Sequence, residues 1–340
     1  MKQIVLTAKE TFEIREIPIP EITADQALVR VRAVGVCGSD IHAYYGEHPF
    51  MSFPIVLGHE MAGEIAKVGE NVSSLKIGDR VVMRPQKVCG RCRPCRQGRY
   101  NICETLEVIG CQCTGGSSEY FAVDAGLLYR LPDNVDFIRG TVIEPLSVAV
   151  HAVKRGLADV NGKNILVLGA GTIGNLVAQS AKALGAAKVM ITDFYDDKLE
   201  MARRCRIDCA VNTGKKELFE AVSDFFGNEG IDAVYECTAS QAALNQVLDA
   251  AGKGIPIVIV GVFAGLPGIN IANVQDREYS LIGTLMYVHE DYMEAIRLVE
   301  NGAIDVQILI SRVFPLEECK KAYEYIAANK QTAQKVVLSV

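Results

Sequence analysis

Between Asn164 and Asp193 the chain reads NILVLGAGTIGNLVAQSAKALGAAKVMITD. A short apolar run, a glycine turn, an amphipathic stretch and a second apolar run follow in that order. Few folds accommodate this. A buried strand that continues through a tight turn into a helix and returns as another buried strand is the unit of a parallel sheet covered on both faces. The pattern persists. DDKLEMARRC and KELFEAVSDFFG read as helices, IDAVYECT as an apolar strand, QAALNQVLDAAG as a helix and IPIVIVGVF as another strand. Residues 147–285 are therefore expected to form one doubly wound α/β domain.

The glycine turn has a further use. Gly169, Gly171 and Gly174 form G-x-G-x-x-G, with Thr172 and Ile173 between them, and Asp193 ends the next strand. Glycines at these places let the backbone turn and approach a pyrophosphate at the helix N-terminus. A carboxylate about 20 residues on can accept hydrogen bonds from adenosine ribose hydroxyls. It would also repel a 2′-phosphate, so NAD is expected over NADP. The plain alternative is a glycine turn in an ordinary α/β domain.

The rest of the chain is different. Its 340 residues suit about two domains. The first 146 or so read as short strands and turns, punctuated by Gly and Pro, and ALVRVRAVGV alternates like a half-buried strand. After residue 285 the helix DYMEAIRLVENG and the strand AQKVVLSV return to mixed character. The net charge of -6 argues against general binding to nucleic acid or a membrane surface. No apolar stretch is long enough to span a bilayer, and MKQIVLTAKE does not read as a signal peptide. A cytoplasmic protein is expected, and its 11 cysteines are expected to be reduced.

Four of those cysteines are close together. CGRCRPCRQGRYNIC places Cys89, Cys92, Cys95 and Cys103 as four soft ligands for a closed, tetrahedral structural zinc. The spacing of a ferredoxin cluster is absent. Arg91, Arg93, Arg96 and Arg99 lie among the ligands and can offset the net negative charge of a four-thiolate zinc site. A second group is scattered. VCGSDIH supplies Cys37, LGHEMAG supplies His59 and Glu60, and VIEPLSVAVH supplies Glu144. Cys, His and Glu suit a zinc with one position left open, the pattern of a catalytic site. A buried Cys and a satisfied core His are the alternative. Cys111, Cys113, Cys205, Cys209, Cys237 and Cys319 read as packing thiols. His48, His151 and His289 read as structural or surface residues.

These motifs together resemble the zinc-dependent medium-chain dehydrogenase/reductase family. GVCGSDIH, LGHEMAGEI, IGDRVV, the four-cysteine lobe, LPDNVDFIRGTVIEPLSVAVHAVKRG and VLGAGTIG carry the resemblance over the whole chain. They are most similar to the branch of sorbitol, threonine and galactonate-type dehydrogenases. The resemblance implies a GroES-like, mainly β catalytic domain from residues 1–146 and 286–340, with a Rossmann domain over 147–285. It implies two zinc ions per chain. Cys37, His59 and Glu60 would hold the catalytic one, with Glu144 as a fourth ligand or a partner of its water. Asp40 would accept from the His59 ring. Ser39 and His42 would relay the alcohol proton to solvent. Lys198 would contact the adenosine ribose, and Thr238, Gly261, Val262, Thr284 and Leu285 would line the cofactor cleft. Arg84 is a candidate partner for a substrate carboxylate, or an arginine of the lobe's basic face.

The expected reaction is NAD-dependent oxidation of a secondary alcohol in a small-molecule polyol or sugar acid, by a homo-oligomer (tetramer or dimer). L-Threonine 3-dehydrogenase is the competing enzyme reading. Such enzymes commonly carry a His just before the lobe, where this chain has Pro85 and Gln86. A non-catalytic NAD-binding relative is the reading from another class, and the intact Cys37, Ser39, His42, His59 and Glu60 argue against it.

Overall fold

The computed structural model describes residues 1–340, the side chain of Ala250 excepted. The chain divides into two compact units, residues 1–144 with 310–340, and residues 145–309.

The first unit is built on the strand Gln26–Val36, QALVRVRAVGV, whose β-branched residues suit a pleated, packed surface. It pairs antiparallel with Glu60–Val68 on one side. On the other, Tyr120–Asp124 pairs with its first half and Lys335–Ser339 with its last residues. The C-terminal strand thus reaches the place where Gln26–Val36 ends, next to Cys37. Arg80–Met83 and Leu128–Arg130 extend the sheet, and Ile310–Pro315 closes its far edge in parallel with Lys335–Ser339. Val29, Val31, Met61, Ile65, Phe121 and Leu338 belong to the core beneath it.

In the second unit, Asn164–Leu168 lies at the centre of a six-stranded parallel sheet and is buried throughout. Numbered from Asn164, the strands run 3-2-1-4-5-6 across the sheet. The order reverses direction beside the first strand, which opens a crevice at the carboxyl ends for a ligand. The expected α/β class holds.

The boundary differs from expectation. Residues 286–309, assigned from sequence to the first domain, group with the second, as do 145 and 146. The physical reason is an ion-paired clamp. Asp291, on the helix His289–Glu300, accepts from Lys154 Nζ at 2.8 Å and lies 2.7 Å from His151 Nδ1, both on the helix Ile143–Gly156. Asp291 is 2% exposed, and its carboxyl is held below the usual range. Burial alone would raise it, but the hydrogen bonds from His151 and Lys154 prevail. No helix among the described residues is long and apolar enough to cross a membrane.

Candidate active site and metal centres

The four cysteines of the lobe converge. Their sulfurs all lie within 4.8 Å of one another, and Cys92 Sγ is 3.9 Å from Cys103 Sγ. Sulfurs about 2.3 Å from one tetrahedral zinc would be roughly 3.8 Å apart, so this spacing fits the ion. Turns produce the cluster. Gly90 and Gly98 take positive φ, and the single turn Arg93–Arg96 carries Cys95 between them. Cys89 N–H donates to Cys103 Sγ and Cys92 N–H to Cys89 Sγ, each at 3.3 Å. Backbone donors at Arg91 and Cys92 lower the Cys89 thiol to about 6, whereas desolvation raises Cys95 to about 12.

Cys37, His59 and Glu60 form the second cluster, again with ligand atoms within 4.8 Å. Cys37 ends the Gln26–Val36 strand and caps the helix Gly38–Tyr44. Glu60 opens the neighbouring strand and His59 immediately precedes it, so strand pairing brings all three together. His59 is 5% exposed and Glu60 fully buried. Asp40 has two duties. One carboxylate oxygen accepts from Cys37 N–H at 2.9 Å, fixing the helix start, and the other lies 3.5 Å from His59 Nδ1. That leaves the other ring nitrogen for a metal, the usual arrangement behind a ligating histidine. Burial raises the Asp40 carboxyl, and the His59 charge opposes this. For His59, burial opposes the charged ring, but Asp40 and Cys37 outweigh it and raise its pKa well above the ordinary value.

Glu144 is buried in the same unit but stands outside the 4.8 Å cluster. Ser39 lies in the first turn of the helix that Cys37 caps. His42, one turn on, has a 61% exposed side chain with Nδ1 3.5 Å from Glu47. Arg84 is turned to the lobe. Its guanidinium stacks 5.1 Å from the Tyr100 ring and donates to Gln86 at 3.2 Å.

In the second unit a cleft of about 300 Å³ is lined by Gly169, Gly171, Asp193, Lys198 and Thr238 among others. Gly169 has a φ of 94°, and Gly171 caps the helix Thr172–Ala183. A Cβ on Gly174 would fall 1.8 Å from Gly169 O, so only glycine allows the helix this close to the turn. Asp193 is held by three backbone amides, from Ala170, Phe194 and Tyr195. Gly261 packs against the loop at Ala239, where a Cβ would meet Ala239 N at 2.5 Å. Val262 and Leu285 are exposed, and this cleft at the Asp193 end does not extend to them or to Thr284. The helix N-terminus, the glycine approach and the fixed carboxylate fit a dinucleotide.

Sequence reasoning missed two residues near the second cluster. Cys111, read as a packing thiol, has Sγ 3.9 Å from His59 Nδ1. Lys335 is 3% exposed and bonded to both Glu60 oxygens. The one available signal for Lys335 was a charged residue heading the apolar run VVL near the C-terminus.

A cysteine-rich lobe, a largely buried Cys–His–Glu cluster and a dinucleotide cleft define a metal-dependent nicotinamide dehydrogenase. Two family models match, "Alcohol dehydrogenase GroES-like domain" over residues 23–133 and "Zinc-binding dehydrogenase" over residues 172–301. L-galactonate-5-dehydrogenase of Escherichia coli is 35% identical, over 96% of this chain and 94% of its own. Sorbitol dehydrogenase of Bacillus subtilis is 31% identical, over 99% and 97%. Two solved structures match with a TM-score of 0.92, each over 100% of this chain and 99% of its own. One is an alcohol dehydrogenase from Escherichia coli bound to NADH, 29% identical, and the other a zinc-binding dehydrogenase from Sinorhizobium meliloti bound to NADP, 30% identical. The chain belongs to the zinc-type medium-chain alcohol dehydrogenase family, with its GroES-like and Rossmann folds. It is an oxidoreductase acting on CH–OH groups.

Proposed function

We propose that the protein oxidises a secondary alcohol of a polyol or sugar acid to the ketone, with NAD as acceptor and one zinc at each cysteine-containing cluster. The observation that carries this is the Cys37–His59–Glu60 cluster, half-buried at Cys37 and buried at the other two, with Asp40 behind it. Zinc held there supplies a Lewis acid for the alcohol oxygen, and NAD supplies the hydride acceptor. The protein's own residues do the rest. Asp40 orients the imidazole, and Ser39 and His42 offer a donor–acceptor hydroxyl and an imidazole that reaches solvent. Asp193 favours NAD by presenting negative charge where NADP carries a phosphate. Gly169, Gly171, Thr172, Ile173 and Gly174 would seat the pyrophosphate, with Lys198 and Thr238 beside the adenosine half and Gly261, Val262, Thr284 and Leu285 towards the nicotinamide.

The names of the relatives support a polyol or sugar-acid substrate. Glu144 would act on the open metal position through water. Arg84 would serve a substrate carboxylate only if it left Tyr100. A homo-oligomer in the cytoplasm remains the expected setting. The test is a panel of polyols, aldonates and L-threonine with NAD and with NADP, followed at the nicotinamide absorbance. Turnover confined to L-threonine would replace the substrate class. A preference for NADP would remove Asp193 from cofactor choice, and no turnover on any alcohol would leave the non-catalytic reading.

A further inference from the structure

Glu60 has two claims on its carboxylate. One oxygen belongs to the cluster with Cys37 and His59. Both oxygens accept from Lys335 Nζ, at 2.5 and 2.6 Å, and the same ammonium donates to Val36 O at 3.2 Å. All three donors of the lysine are used. The backbone makes room for this. Gly35 is the residue opposite Glu60 in the strand pair, and a Cβ there would fall 2.0 Å from Glu60 Oε2. The carboxylate thus folds across a gap that only glycine leaves, towards Lys335 on the next strand. Lys335 is placed by its own pairing, since Val336 is opposite Val36 and Val337 opposite Gly35.

We propose that Lys335 is a positioning residue of the metal centre, sharing the Glu60 carboxylate with the metal so that this ligand is weakened and the metal kept electron-poor. The inference rests on the reading of Cys37, His59 and Glu60 as metal ligands. Its logic is that of two cations on one anion. They repel each other, so each lowers the affinity of the carboxylate for the other. Around the dication stand the Cys37 thiolate, the Glu60 carboxylate and the Asp40 carboxylate behind His59. Lys335 adds one positive charge to this set, in a site where burial gives charge full effect. That charge would draw electron density from a bound alcohol and ease loss of its proton.

The experiment removes metal from the full-length protein with a chelator and follows zinc by metal analysis. The proteins are wild type, His59→Ala, Lys335→Met, Lys335→Gln and Lys335→Arg. Wild type should lose metal in two phases, and His59→Ala should lack the weaker one. Both neutral variants should hold the weaker-phase metal about tenfold more tightly, within the usual range of coupling between two sites. Their kcat should fall with little change in KM, and Lys335→Arg should behave as wild type. If Lys335→Met leaves the buried Glu60 charge unpaired and the chain unable to fold, Lys335→Gln, whose amide can still donate to the carboxylate, carries the test. Unchanged or looser metal in the neutral variants overturns the role of Lys335. A purely structural lysine would shift melting temperature and leave the affinity in place. If His59→Ala removes neither phase, the metal-centre reading itself fails.

Discussion

The two cysteine-containing clusters of the first unit reach similar geometry by different means. In the lobe all four ligands fall between Cys89 and Cys103, the turns between them are tight, and backbone amides donate directly to sulfur. In the second cluster the ligands come from the ends of two paired strands, and a third strand brings Lys335 from the far end of the chain. The lobe needs only local chain geometry to exist. The second cluster needs the whole sheet. The lobe is closed by its four thiolates, which suits a structural ion, whereas the Cys–His–Glu set leaves room for a reacting oxygen.

The sharpest way to break this comparison is to remove one ligand from each cluster. Cys37→Ser should lower turnover by about 10³-fold or more, because several kcal/mol of charge stabilisation are lost with the ion. The fold should hold, since the strands around it share an extensive apolar core. Cys92→Ser should do the reverse. Metal binding at a structural site is folding energy. Melting temperature should drop by several degrees, with turnover per folded molecule nearly kept. Metal analysis, thermal melts and steady-state rates on both variants decide this. If the two give the same pattern, the division into structural and catalytic centres is lost.

Ser39→Ala tests the chemistry of the open centre without touching a ligand. Turnover should fall by about 10²- to 10⁴-fold, the contribution of a positioned proton-transfer group. NAD affinity, measured by fluorescence titration, should change little. Full turnover, with hydride transfer shown to limit the rate by a deuterated substrate, would remove Ser39 from the relay.

Asp40→Asn should have a smaller effect. The amide oxygen can still accept from Cys37 N–H, so the helix start survives. The negative charge facing His59 does not. Loss of a carboxylate behind a ligating histidine typically costs about 10- to 100-fold in metal affinity or activity. No counterpart exists in the lobe, where sulfurs are backed by amides instead. Chelator competition on Asp40→Asn would show the weaker-phase metal leaving sooner and the lobe metal unaffected.

These contrasts follow what the sequence made legible. The lobe could be read from spacing alone, and so could the glycine turn, because its strand, helix and Asp193 are contiguous. Cys37, His59 and Glu60 were found as residue types that suit a metal, but their convergence depends on strand pairing. Lys335 was not found, because its partner lies 275 residues away and one lysine at a strand end has many ordinary uses. The division into compact units differs from the sequence reading for a related reason. The helix His289–Glu300 shows an amphipathic period, yet the period does not say which unit it packs on. That was decided by Asp291 meeting His151 and Lys154. Local turn chemistry is written in consecutive residues, and long-range charge pairing is not.

The smallest expected effect concerns charge compensation itself. A zinc with four thiolates is net negative, and Arg91, Arg93, Arg96 and Arg99 surround it, all exposed. At the other centre the cation, Lys335, is buried against the ligand Glu60. Exposed charges act through water and are screened within about 8 Å at physiological salt. They also keep their side-chain freedom, so individual ion pairs of this kind contribute little. Arg91→Gln with Arg93→Gln should therefore change the rate at which a chelator strips the lobe metal by no more than about threefold at physiological ionic strength. The change should grow when salt is lowered, since screening weakens. The Lys335→Gln effect should be nearly independent of salt, because the lysine and Glu60 are shielded from the solution. Measuring both exchange rates at two ionic strengths compares the two kinds of compensation directly. A large, salt-insensitive change in the arginine variant would mean that the lobe also relies on fixed charge, and the contrast between the centres would then lie in their ligands alone.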